Sequence, residues 1–163
     1  MDFNIELMGL LIIYNFLFDI FIKLYFKYVF MIKDFNKWHC KKSEINNNDN
    51  KIFFHEREIW FCYLGVNIGF EQDGDKESFL RPVLILRKFN NNLFLCIPFT
   101  TKCKNGKFYY KIILKNKINY AIITQVRLID SRRLKYFYSS MKKQDFFEIK
   151  KILTEIINED SYL

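Results

Sequence analysis

Four polar residues stand at the ends of short apolar runs between Arg57 and Leu134. They are Glu71 in G-F-E-Q, Arg81 in R-P-V-L-I-L, Thr100 in I-P-F-T-T and Gln125 in T-Q-V-R-L-I-D. A carboxylate, a guanidinium and a hydroxyl suffice for acid–base chemistry on a phosphodiester, where one group moves a proton and another holds the charge that develops on phosphorus. Arg81 precedes Pro82 at the mouth of an apolar run, so a rigid element delivers its fork. Such a fork suits a phosphate by bidentate hydrogen bonding, and equally suits a carboxylate at a strand edge. Thr100 and Thr101 follow the kink at Pro98, where side chains face solvent or a ligand. Gln125 and Arg127, read as two positions on one strand face, suit a base edge or a pairing across the sheet. Lys102, Lys104, Lys107 and Lys111 form a basic hairpin with Phe108, Tyr109 and Tyr110, cations and stackable rings of the kind single-stranded RNA uses; a solvated hairpin has the same composition.

The elements that must position these groups read as β. Strands are expected at Glu58–Leu64, Arg81–Arg87, Leu93–Phe99, Phe108–Leu114, Tyr120–Thr124 and Val126–Ile129, with Gly69–Leu80 as a long mobile loop. Pro82 is tolerated at the start of its strand because no N–H is needed there. Phe146, Ile149, Leu153, Ile156 and Ile157 then recur at helical spacing, with Lys142, Lys143, Glu148, Lys150, Lys151 and Glu155 on the other face. About five or six short strands followed by one helix predict a small, partly open barrel with a helix packed on it.

The formal net charge of +8 and a pI near 9.2 favour a polyanionic partner or an anionic surface. An AT-rich genome would produce the same surplus of Lys, Asn, Ile, Phe and Tyr without selection for binding. Cys40, Cys62, Cys96 and Cys103 lie far apart, and the only histidines are His39 and His55, so no metal site or cofactor is expected. Cys62 and Cys96 read as buried thiols, and the cysteine usage fits a reducing, cytoplasmic setting. Residues 1–30 form a nearly continuous apolar block broken by Glu6, Asp19, Lys23 and Lys27. A wrongly included upstream stretch, with Met31 as the start, is preferred over an additional helix or a poor membrane anchor. Residues 31–56 read as a polar arm with an Asn/Asp loop, in which Trp38 is a candidate to dock on the domain at 57–163.

In order, E-I-W with L-G, G-x-E-Q, R-P-V-L-I-L, the strand ending T-T and Q-V-R-L-I-D resemble the MazF/PemK-type toxins of type II toxin–antitoxin systems, over about Arg57 to Ile157. The resemblance implies a mainly β fold with a C-terminal helix, the SH3-like barrel of the MazF/PemK/CcdB toxin type. It also implies a homodimeric, metal-independent endoribonuclease that cuts single-stranded RNA at short sequences and is neutralised by a cognate antitoxin. DNA would be met only through that antitoxin, and a membrane only through residues 3–30. Carried over by position, the catalytic arginine, threonine and glutamate fall on Arg81, Thr100 and Glu71, and RNA contacts on Gln72, Thr101, Lys102, Gln125 and Arg127. The chain departs from the family where Phe70 stands in place of a common serine. It departs again where a longer loop adds Asp73, Asp75 and Glu77. Two other readings are a toxin of the same fold acting on a protein such as gyrase, and a membrane-tethered binding protein. The R-P…T-T pairing argues against the first, and the second rests on residues 3–30 alone.

Overall fold

The computed structural model describes residues 13–24, 33–48 and 51–159. Residues up to Asp34 form a unit of their own, whose described part includes a helix, α1 (residues 13–24). No described helix is long and apolar enough to cross a membrane. The rest of the apolar block, Met31, Asp49 and Asn50 lie outside the described residues.

The second unit, Phe35–Leu163, opens with α2 (Phe35–Asn46), where the sequence suggested only a polar arm. Its polar composition gives no apolar stripe to read, and a single residue, Trp38, buries it. Seven strands follow: β1 (Glu58–Tyr63), β2 (Leu80–Lys88), β3 (Leu93–Thr100), β4 (Tyr109–Leu114), β5 (Lys117–Ile122), β6 (Arg127–Asp130) and β7 (Leu134–Ser140). They form one antiparallel sheet in the order β4-β5-β3-β2-β1-β7, with β6 added to β3. β3 is the corner strand. Its first half pairs with β6 and its last two residues pair with β5, so the sheet curls around it.

Alternation explains why β2 reads as a continuous apolar run. Leu84 and Leu86 enter one core cluster with Ile97, Phe99 and Ile59, while Val83 and Ile85 enter the opposite one with Phe94, Cys96 and Cys62. Both faces of β2 are therefore covered. The final helix, α3 (Lys143–Asn158), follows the expected spacing and is about 24 Å long. It buries Phe146 and Ile149 in the first cluster, each worth about 1.5–3 kcal/mol. Tyr110 Oη donates to Asp145 Oδ1 at 2.8 Å and ties α3 to β4. Burial, reinforced by that bond, pushes the Tyr110 phenol up to about 12.

Two expectations are corrected. β7 escaped the sequence reading because it is a sheet edge whose residues Lys135, Tyr136 and Phe137 are all exposed, leaving no alternation to detect. Thr124 and Gln125 are not in a strand. They lie in a 3₁₀ turn, Ile123–Gln125, that re-aims the chain between β5 and β6.

Candidate active site

The β2–β3 register sets the site. Val83 pairs with Pro98, Leu84 with Ile97 and Ile85 with Cys96. Continued by two residues, this antiparallel register places Arg81 across from Thr100 on the same sheet face. The side chain of Arg81 agrees, since its Nη1 donates to the Phe99 carbonyl at 3.0 Å, one residue before Thr100. Its Nε donates to the Asp73 carbonyl in the β1–β2 loop. Both anchors are main-chain oxygens, and Nη2 has no hydrogen-bond partner among the described residues. Burial lowers the Arg81 pKa and the nearby Asp73 and Asp75 carboxylates oppose that shift, so the half-buried fork remains a cation.

Thr100 ends β3 and is 8% exposed. Its Oγ1 accepts from the Lys102 main-chain N–H at 3.2 Å, an arrangement that leaves the hydroxyl proton free to donate. Thr101 and Lys102 are exposed beside it.

The β1–β2 loop was expected to be mobile, yet it is tied down along its length. Gln125 Oε1 accepts from Gln72 N at 2.9 Å, and Gln125 Nε2 donates to the Phe70 carbonyl at 3.2 Å. Arg127 Nη2 reaches the same Oε1 at 3.3 Å. Gln72 Nε2 donates to Asp73 O at 3.1 Å, and Asp73 Oδ1 accepts from Asn67 N at 2.6 Å. Further along, the Asp75 carboxylate accepts from the main chain of Glu77, Ser78 and Leu80 and from the Ser78 hydroxyl. Gln125 and Arg127 thus meet through a direct hydrogen bond, although not as neighbours on one strand.

Glu71 sits on this loop with its side chain exposed, and its carboxylate makes no hydrogen bond among the described residues. Next to it, the Phe70 ring is fully exposed. The fold therefore brings Arg81 to the Phe99 carbonyl, next to Thr100 along β3, and joins both Gln72 and Arg127 to Gln125. It holds Glu71 nearby in sequence without a contact to the pair. The Asp73 and Phe99 carbonyls went unread because main-chain acceptors leave no side-chain signature in a sequence. Beneath the site, Cys62 pairs with Arg81 in the β1–β2 register. Burial pushes the Cys62 thiol up to about 12 and that of Cys96 well above its usual value, against the opposing pull of Arg127 and Arg133. Both thiols are core groups, as expected.

Fold and site together define a class: a curled, mainly β half-barrel with a C-terminal helix, carrying an opposed arginine and threonine beside a latched loop. Residues 56–157 match the family model of the PemK-like, MazF-like toxin of type II toxin–antitoxin systems, and the chain belongs to that family. No curated protein matches it. Among solved structures, MazF (Form-I) from Deinococcus radiodurans aligns at 18% identity with a TM-score of 0.55, over 65% of this chain and 97% of that one. The Mycobacterium tuberculosis toxin MazF-mt6 aligns at 14% identity and a TM-score of 0.49, over 62% of this chain and 96% of that one. An endoribonuclease in complex with its cognate antitoxin from a Mycobacterial species aligns at 10% identity and a TM-score of 0.49, over 64% and 95% of the two chains. The expected family and fold class are borne out. α2 precedes the residues that the family model matches.

Proposed function

We propose that this toxin is a metal-independent, sequence-specific endoribonuclease that cleaves single-stranded RNA by attack of the 2′-hydroxyl on the adjacent phosphorus. The observation that carries this reading is the Arg81 guanidinium, held by the carbonyls of Asp73 and of Phe99, the residue before Thr100. A fixed cation there stabilises the charge of the pentacoordinate phosphorus without reorganising as it forms. Thr100 donates its hydroxyl proton to a phosphate oxygen or orients the 2′-hydroxyl. Glu71, unengaged and exposed, takes the 2′-proton. The P–O5′ bond breaks as the 2′-oxygen bonds to phosphorus, a proton from solvent goes to the leaving oxygen, and the products are a 2′,3′-cyclic phosphate and a 5′-hydroxyl. No metal or other cofactor enters this scheme.

Thr101, Lys102, Gln72, Gln125 and Arg127 line the RNA path in this reading, and the exposed Phe70 offers a ring on which a base stacks. The toxin works as a cytoplasmic homodimer, a cognate antitoxin covers the groove, and DNA is reached only through that antitoxin. Mapping RNA ends after brief induction tests the proposal. Fragments beginning with 5′-hydroxyls at a short recurring sequence, formed equally in EDTA, are expected. Fragments beginning with 5′-phosphates, or cleavage lost in EDTA, would rule it out.

A further inference from the structure

We infer that α2 is a built-in clamp on the β1–β2 loop and that Trp38 is a positioning residue for the Arg81 site. The loop leaves β1 at Gly65 and returns to β2 at Phe79, and the Phe79 carbonyl closes it by accepting from Leu64 N at 3.0 Å and Gly65 N at 3.2 Å. Trp38 lies over both ends. A Cβ on Gly65 would stand 1.9 Å from its ring, and its centroid is 5.2 Å from that of Phe79. Phe79 has a φ of +61°, a left-handed conformation that a bulky L-residue adopts only when its surroundings impose it. Main-chain hydrogen bonds at its N–H and carbonyl hold that backbone, and Trp38 and Lys37, 5.6 Å from the ring, pack on its side chain.

From Phe79 the placement runs to the site by short steps. Its carbonyl occupies the space a side chain at Gly74 would need, its N–H donates to Asp75 O at 3.1 Å, and Arg81 follows two residues on. Gly74 N–H in turn donates to Gly65 O at 2.8 Å, which fixes the adjoining Asp73 carbonyl that holds Arg81 Nε. The clamp is itself anchored to the barrel. Arg133 lies 5.5 Å from the Trp38 ring, Lys41 lies 5.3 Å from that of Tyr63, and Arg132 Nη1 donates to Asn46 O at 3.0 Å, at the α2 C-terminus. A cation there also suits the helix dipole.

The effect on catalysis rests on the nuclease reading above; the effect on the loop does not. Trp38→Ala in the full chain, followed by amide hydrogen exchange and by cleavage kinetics, separates the two. Exchange over residues 65–79 should rise about tenfold or more with β3 and α3 unchanged, and kcat should fall about tenfold with KM within about twofold. Trp38→Phe should restore most of both. Should Trp38→Ala not fold, Trp38→Leu, which keeps apolar volume but lacks the ring, reads the same differences. If RNA is not cleaved by the wild type, the nuclease reading fails while exchange still judges the clamp. Unchanged exchange in residues 65–79, or a uniform loss of protection across the barrel, overturns the inference.

Discussion

Arg81 Nη1 donates to the carbonyl of Phe99 at 3.0 Å across the β2–β3 ladder. This contact seats the guanidinium beside the peptide that leads into Thr100. A guanidinium whose hydrogen bonds go to carbonyls has no directly bonded carboxylate to compete with a phosphate, although Asp73 and Asp75 act on it electrostatically. The sequence left open whether Arg81 faces a phosphate or caps a strand-edge carboxylate. Its hydrogen bonds go to main-chain oxygens, and that favours the first.

Thr100→Ala should lower kcat by about tenfold to a hundredfold, less than loss of a charge, because a neutral hydrogen bond contributes less to the transition state. Thr100→Ser should retain most activity, since the hydroxyl still accepts from the Lys102 N–H. Single-turnover cleavage of a defined oligonucleotide checks both variants. Equal losses in the serine and alanine variants would mean that the methyl group, not the hydroxyl, matters.

Glu71→Gln should lower kcat by about 10² or more with little change in KM or stability, since the exposed carboxylate holds nothing in the fold. If activity survives, Asp73 is the next group to test, because its carboxylate lies within electrostatic reach of Arg81. Asp73→Asn in the Glu71→Gln background distinguishes them.

The loop should respond to acid with a predictable sign. Burial raises the Asp75 pKa, but the bonds from Ser78, Glu77 and Leu80 outweigh it and hold the carboxyl below its ordinary 3.8. Its stabilising contribution is therefore full above that value and lost as pH falls through the lowered one. Exchange protection of residues 65–79 should hold down to about pH 4 and fall below it. Asp75→Asn should remove that step and leave the loop more open at neutral pH. An identical acid profile in this variant would assign the transition elsewhere.

Gln125→Ala should release the loop on the other side, since one amide holds both Gln72 N and Phe70 O. A rise in KM of about tenfold is expected with the barrel intact, read by cleavage kinetics beside thermal melting. An unchanged KM would show that the latch is redundant with the Asp75 turn.

Much of this architecture was legible because strong patterns carried it. β2 and β3 are apolar on both faces, and α3 repeats at helical spacing, so both follow from burial periodicity. The order of R-P, T-T and Q-V-R pointed to the candidate site, but the register that brings Arg81 level with Thr100 depends on an irregularity between Ile85 and Arg87 that the sequence does not mark. What escaped lacked a side-chain signal. β7 is an exposed edge strand, α2 is a polar helix whose one buried residue is Trp38, and the loop is ordered largely by bonds to its main chain. Gln125 reads from the sequence as a strand residue, because a 3₁₀ turn of three residues has no period to detect.

The most direct test is Arg81→Ala, assayed for RNA cleavage and growth inhibition beside circular dichroism and thermal melting. Cleavage should fall by about 10³-fold or more while the fold persists, and Arg81→Lys should restore little, since a point charge cannot serve two carbonyls and a phosphate. An Arg81→Ala protein that is folded and cuts RNA at the wild-type rate would contradict the account.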